Sequence, residues 1–137
     1  MLFLNPCDLE VNEDTRQINL LSLKQKVNSS IKNGTKAFIV VQNMATTLFG
    51  SIDDIDTITD FFDNKSLIYK LHIDAAFGGF VIPFKEEKDN YSFKNLKISS
   101  FTLDGHKMLQ TPYGTGIFLI RKNMLKYVKN NNAKYVK

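Results

Sequence analysis

A lysine and an aspartate in this sequence each follow an apolar segment that ends abruptly. Lys107 comes just after the break at Asp104-Gly105, and Asp74 directly follows Leu71-His72-Ile73. A lysine amine can form a Schiff base, and a carboxylate can keep a ring nitrogen protonated. Pyridoxal phosphate is a cofactor that needs both groups, so the pair suggests a pyridoxal phosphate site.

Both residues also have ordinary structural explanations. Lys107 could be a surface lysine after a turn, and Asp74 could cap a turn or a helix. The apolar residues before Asp74 nevertheless suggest a buried position, where an unpaired charge is costly. Its carboxylate would then need a partner.

Other polar and glycine-rich positions leave alternatives open. His72 and His106 could join Asp74 or Asp104 in a metal site, but they lack the helical spacing of familiar metal sites, so we predict no metal. His72 shares a strand face with Asp74 and could support it. Thr46 could bind a phosphate or ring oxygen, or only cap a turn. Gly78-Gly79 matches no phosphate-binding pattern and predicts a tight backbone passage.

Alternating strands and helices must position these residues. The spacing of Leu20, Leu23, Val27 and Ile31 predicts a helix that ends at Asn33-Gly34. The remaining predicted elements are a short strand that runs through Val11, strands over 36–42, 67–73, 97–103 and 116–120, and helices over 53–62 and 123–129.

This order of elements predicts an α/β fold with a mostly parallel sheet and flanking helices. The continuous apolar run within 36–42 predicts a strand covered on both faces. Segment 85–97 shows no clear period. Ligands of such sheets bind beyond the carboxyl ends of the strands, so Thr46, Asp74 and Lys107 are expected at one edge.

Composition excludes several classes of partner. Six of the 18 basic residues lie in 121–137, which has no acid, and the other 12 are outnumbered by 14 acidic residues. The net charge of +4 therefore indicates a basic, partly frayed tail and no nucleic-acid partner. The longest apolar stretch, 71–84, is shorter than the roughly 20 residues that span a bilayer. With one cysteine and no signal peptide, we expect a cytoplasmic protein without a membrane partner.

Four segments together resemble the group II pyridoxal-phosphate-dependent amino acid decarboxylases, which have the fold type I architecture. The segments are His72–Phe80 (HIDAAFGGF), Asp104–Lys107 (DGHK), Ala45–Asp53 (ATTLFGSID) and Pro112–Arg121 (PYGTGIFLIR). The resemblance implies that residues 1–137 form a fragment of the large domain of such an enzyme. It implies removal of the α-carboxylate of an amino acid as carbon dioxide, and a homodimer.

The resemblance also implies roles for single residues. Lys107 would form the Schiff base with pyridoxal 5′-phosphate, and Asp74 would face the pyridine nitrogen. Ala76 would pack against one ring face, and Thr46 would lie near the ring oxygen. Two further residues would lie on the phosphate side, namely His106 and Ser100.

Parts of the family pattern are missing or altered. The family usually has glycine where this chain has Ala45. The upstream ring-stacking and phosphate-binding segments and the carboxy-terminal small domain have no counterpart here. We therefore expect the 137-residue chain alone to self-associate, to bind the cofactor weakly and to be inactive. A non-catalytic remnant or folding module, and a carbon–carbon lyase similar to sphingosine-phosphate lyase, are the alternatives.

Overall fold

A four-stranded sheet forms the centre of the computed structural model, which describes residues 4–85 and 89–127. The strands follow one another across the sheet in chain order as β1 (Ala37–Asn43), β2 (Ile68–Asp74), β3 (Ile98–Asp104) and β4 (Gly116–Ile120). The first three are parallel, and β4 runs antiparallel to β3. The predicted α/β fold with a mostly parallel sheet is confirmed, and each strand lies within one residue of its predicted bounds.

Two helices precede β1 and β2. α1 (Leu20–Lys32) begins at Asn19, whose side chain caps its first turn, and it ends before Gly34, which has a φ of +90°. The predicted stop signal is therefore confirmed. α2 (Ile55–Asn64) begins two residues later than predicted, because Asp54 caps it.

Asp53, the predicted first residue of α2, lies buried before the helix at 2% exposure. Its carboxylate accepts hydrogen bonds from the backbone N–H groups of Ile18 and Asn43, both at 2.8 Å. These two bonds tie the N-terminal segment to the end of β1, and they stabilise a charge that would otherwise be costly to bury.

Two predictions at the ends of the chain do not match the structure. The short strand predicted through Val11 is wrong, because Val11 forms only one isolated bridge, with Ile18. The helix predicted over 123–129 is a 3₁₀ turn over Lys122–Tyr127, and residues 128 and 129 lie outside the described part of the chain, as does most of the predicted basic tail. The short segments between the strands include α3 (Ile82–Lys85), a 3₁₀ turn at Asp89–Tyr91 and α4 (Gly105–Met108).

The sheet has two unlike faces. The core face packs against α1 and α2, and its strand residues include Val40, Leu71, Ile73, Phe101 and Leu103. The open face carries the alternate residues, which include Ile39, Val41, His72, Asp74, Ser100, Thr102, Asp104 and Phe118.

The prediction that the first long strand is covered on both faces is wrong for this chain. Ile39 and Val41 of β1 are 60% and 51% exposed. The residues that pack on the sheet from α1 and α2 belong to one core cluster, so they cover one face only. Among the described residues, no helix is both long and apolar enough to cross a membrane.

Candidate active site at the carboxyl ends of the strands

Three parallel strands end side by side at one edge of the sheet. Asn43 pairs with Asp74, and Asp74 pairs with Thr102 of β3. Beyond the strands, the N–H of Ala75 donates to the carbonyl of Thr102 (2.9 Å), and the N–H of Asp104 donates to that of Ala76 (3.2 Å). The segments that carry Thr46, Asp74 and Lys107 therefore meet at this edge, as the parallel order of the strands predicted.

The loop after β1 is closed by Thr46. Its hydroxyl hydrogen-bonds with the Ser51 hydroxyl (2.8 Å) and accepts from the Ser51 N–H (3.2 Å). Its carbonyl accepts a further bond from Gly50 (2.7 Å). The structure thus shows Thr46 in the turn-forming role, while its place beside a cofactor stays a prediction.

Ala45 occupies the left-handed region of backbone space, with a φ of +59°. This conformation costs most residues about 1 kcal/mol or more and suits glycine. Glycine is the residue that the resemblance leads one to expect here. The alanine preserves the backbone path of the loop and carries the strain of doing so.

A tight passage follows Asp74. A Cβ on Gly78 would collide with the carbonyl oxygen of Met44, and one on Gly79 would lie 2.7 Å from a Leu103 methyl carbon. The prediction that Gly78-Gly79 forms a close backbone passage is confirmed. It presses the segment after β2 against the loop after β1 and against β3.

Asp74 stands on the open face and is exposed. The expectation that its carboxylate is buried is therefore wrong, because the apolar residues before it that suggested burial point to the other face of the sheet. One of its oxygens accepts a hydrogen bond from the N–H of Ala76 (3.1 Å). An ionised carboxylate has room for about four such bonds. Asp74 can therefore accept a further bond from a ring N–H.

His72 is held between two hydroxyl groups of β3. Its Nδ1 hydrogen-bonds with Ser100 (2.9 Å), its Nε2 with Thr102 (3.1 Å), and its ring stacks on Phe118 at 6.0 Å between centroids. Burial lowers the pKa of His72 below 6.5, and the nearby charge of Asp74 partly opposes this. The ring is therefore held in its neutral form at neutral pH.

Ser100 is buried within β3, and its observed partner is His72. It lies four residues before the strand end, while the residues after Asp104 form the edge itself. The structure brings Ser100 to the support of the open face. Its contact with a phosphate remains a prediction.

Lys107 lies in α4, one turn beyond the end of β3. Its ammonium group contacts the Asp104 carboxylate at 3.0 Å, and its side chain is 31% exposed. The neighbouring His106 makes a hydrogen bond through Nδ1 with the carbonyl of Thr115 (3.2 Å) and lies beside the ring of Tyr113. Sequence reasoning considered Asp104 only as a metal ligand, although its spacing of three from Lys107 is that of a helical ion pair.

These groups fit pyridoxal phosphate. The edge supplies a partly accessible lysine amine, a carboxylate with unused acceptor capacity, and the open face beside them. The lysine amine and the carboxylate are the two groups that the cofactor requires. Among the described residues, no group of three histidine, cysteine, aspartate or glutamate side chains is placed to hold a metal ion.

Comparisons with known proteins indicate the same cofactor. The family model described as "Pyridoxal-dependent decarboxylase conserved domain" matches residues 8–137. Tryptophan decarboxylase of Clostridium sporogenes is 47% identical over 122 residues, which cover 89% of this chain and 29% of that protein. Histidine decarboxylase of Vibrio campbellii is 38% identical over 92 residues, covering 64% of this chain and 23% of that protein.

The solved structures show the same fold. The glutamate decarboxylase domain of a diaminobutyrate-pyruvate transaminase and L-2,4-diaminobutyrate decarboxylase from Vibrio parahaemolyticus has a TM-score of 0.68 and 25% identity. The match covers 87% of this chain and 25% of that one. The chain thus spans less than a third of the length of these relatives.

Proposed function

The chain belongs to the pyridoxal-dependent decarboxylase family, and on this premise we propose that the full-length protein removes the α-carboxylate of an amino acid as carbon dioxide. The observation that carries the proposal is the placement of Asp74 at the end of β2 and of Lys107 one turn beyond the end of β3, which lies next to β2 and parallel to it. The relatives compared above are decarboxylases, which favours loss of carbon dioxide over a reaction like that of sphingosine-phosphate lyase.

In this proposal each residue at the edge has a defined task. Lys107 holds the cofactor through its amine, and Asp74 accepts a hydrogen bond from the pyridine nitrogen and keeps it protonated. Bound pyridoxal phosphate supplies a ring that accepts the electron pair left when the carboxylate departs. Ala76 lies beside Asp74 and would pack against one ring face, and Thr46 would lie near the ring oxygen.

The remaining residues support the two charged ones. His72 is neutral and held by two hydroxyl groups, so it adds no charge beside Asp74. His106 and Ser100 would lie on the phosphate side of the cofactor, and Ser100 also holds His72.

The proposal includes a homo-oligomer in the cytoplasm. The open face exposes Val41 (51%) and Phe118 (56%), and an apolar patch of this kind favours association. The exposed free thiol of Cys7 suits a reducing compartment. Sedimentation of the Val41→Lys chain against the unmodified chain tests the first point, and we expect the variant to shift towards monomer.

Labelling tests the role of Lys107. The protein is mixed with pyridoxal phosphate, reduced with borohydride and digested, and the pyridoxyl group is expected on the peptide that contains Lys107. The Lys107→Arg variant keeps the charge and should lose the label, whereas Lys70→Arg, on the same face of the sheet, should keep it. Equal labelling of surface lysines would remove Lys107 from the site.

Activity of the full-length protein tests Asp74. The Asp74→Asn variant should still be labelled at Lys107 but should release carbon dioxide about 10²-fold or more slowly, because stabilisation of the developing charge is lost. Release from a carboxyl-labelled amino acid measures this. Normal turnover by the variant would show that Asp74 has no part in the reaction, and a full-length protein with labelled Lys107 but no turnover would favour the non-catalytic alternative.

A further inference from the structure

The carboxylate of Asp104 does not cap α4, although its position before that helix suggests that it should. Asp104 is the residue before α4, where an aspartate normally caps the helix by accepting backbone N–H bonds. Here its side chain makes no capping bond. It contacts the Lys107 ammonium at 3.0 Å instead, and both side chains are partly buried, at 20% and 31% exposure.

His106 does not compete for this carboxylate in its neutral form. The carbonyl of Thr115 can only accept a hydrogen bond, so Nδ1 of His106 must carry the hydrogen in their 3.2 Å contact. Nε2 of the neutral ring then has a lone pair, and it lies 3.8 Å from Asp104. Lys107 is therefore the cation that Asp104 holds.

The backbone keeps Asp104 in place. Its N–H donates to the carbonyl of Ala76 (3.2 Å), and the N–H of Gly105 donates to that of Thr115 (2.9 Å). A Cβ on Gly116, opposite Asp104 in β4, would lie 3.8 Å from Oδ1. The carboxylate thus stands on a rigid strand end, while Lys107 brings a long flexible side chain to it.

We propose that Asp104 is a positioning residue that stores the Lys107 amine as an ion-paired ammonium until an aldehyde is captured. An amine attacks a carbonyl group only after it loses its proton and leaves the carboxylate. Asp104 therefore slows capture by Lys107 and keeps its amine at the end of β3. This inference rests on the proposed function for its meaning, because Lys107 is the residue that takes the cofactor.

Reductive methylation of the whole chain tests the proposal without any cofactor. Formaldehyde adds to a neutral amine and loses water to form an imine, and cyanoborohydride supplies the hydride that reduces it to a methylamine. Mass spectrometry of the digest gives a rate for each lysine. In Asp104→Asn, Lys107 should react about two- to five-fold faster than in the unmodified chain, which is the size expected for a partly exposed pair.

A second ion pair provides the matched control. Lys97 contacts Asp60 at 2.8 Å and Asp63 at 3.1 Å, and its side chain is 33% exposed, close to that of Lys107. Asp60→Asn combined with Asp63→Asn should accelerate Lys97 and leave Lys107 unchanged, and Asp104→Glu should restore a slow rate at Lys107. An increase at Lys107 in both asparagine variants would mean general loosening and would overturn the proposal.

The unmodified chain supplies an independent measurement if the variant fails to fold. Salt screens a partly exposed pair, so the rate at Lys107 should rise with ionic strength. A rate at Lys107 that does not change with ionic strength would overturn the proposal, as would an unchanged rate at Lys107 in a folded Asp104→Asn variant. Because no cofactor is present, failure here leaves the labelling result for the proposed function untouched, and failure of that labelling leaves this ion pair intact.

Discussion

The two faces of one sheet divide stability and chemistry between them. On the core face, Leu71, Ile73 and Phe101 lie at 0%, 1% and 6% exposure against the helices. On the open face, the alternate residues of the same strands include His72, Asp74 and Asp104, each of which has a hydrogen-bonding or charged partner of its own. Because side chains alternate along a strand, a rigid core positions reactive groups a single residue away.

The polar residues of the two faces differ in how well they are satisfied. His72 on the open face uses both ring nitrogens. Gln42 on the core face is 0% exposed, and neither of its amide atoms has a hydrogen-bond partner among the described residues. The His72 ring on the open face therefore has its hydrogen bonds satisfied, whereas the core face contains an unpaired amide.

Truncation of the largest core side chain should have the greatest effect. Phe62 is 1% exposed and contacts the rings of Phe38, Phe61 and Tyr69. Phe62→Ala should lower the free energy of unfolding by about 3–5 kcal/mol, because a cavity remains. Phe118→Ala on the open face should cost less than about 1 kcal/mol. Urea denaturation measures both, and equal losses would contradict the division between the faces.

Replacement of the unpaired core amide should stabilise the protein. Gln42→Met keeps an unbranched chain of similar length and removes two buried polar atoms, so we expect a gain of about 1–3 kcal/mol in the free energy of unfolding. Gln17→Met is the matched control, because the Gln17 amide donates to the carbonyl of Ile52. The control should lose stability. A loss in Gln42→Met as well would show that Gln42 has a partner in solution.

Alkaline pH should lower the free energy of unfolding through Tyr69, which lies on the core face. Burial, together with a hydrogen bond to Asp63, raises the pKa of Tyr69 from 10.0 to about 12. Between these values the folded protein keeps a proton that the unfolded chain has lost, so stability falls as pH rises from about 10 to about 12. The pKa of Lys97 is also raised, by its hydrogen bond to Asp60, and acts in the same direction. Tyr69→Phe should make the loss less steep in denaturation at several pH values.

Mildly acidic pH should lower the free energy of unfolding through His72 on the open face, and this effect should be the smallest of the four. Its folded pKa lies below 6.5, so the unfolded chain binds a proton first and stability falls as pH drops below 6.5. An NMR titration should give a midpoint below 6.5. In Asp74→Asn it should fall further, because the charge that opposes the shift is removed. A midpoint above 6.5 would contradict the burial of this ring.

Local patterns accounted for most of the fold. Helical spacing and Asn33-Gly34 placed α1, and apolar runs placed the strands to within one residue. These signals depend on neighbours in the chain, so they can be read without the tertiary structure. Segment 85–97 has no period of its own, and part of it is held by Arg121, which donates to the carbonyl groups of Phe93 and Asn95.

The sequence by itself determined which chemical groups this protein carries and that they follow the ends of parallel strands. Only the tertiary structure decided which face each group occupies and which partner it takes. It turned Asp74 to an exposed position and enclosed His72 between Ser100 and Thr102. The physical reason is that burial and pairing depend on what lies across the sheet, and residues 28 or 30 positions apart in the chain make those contacts.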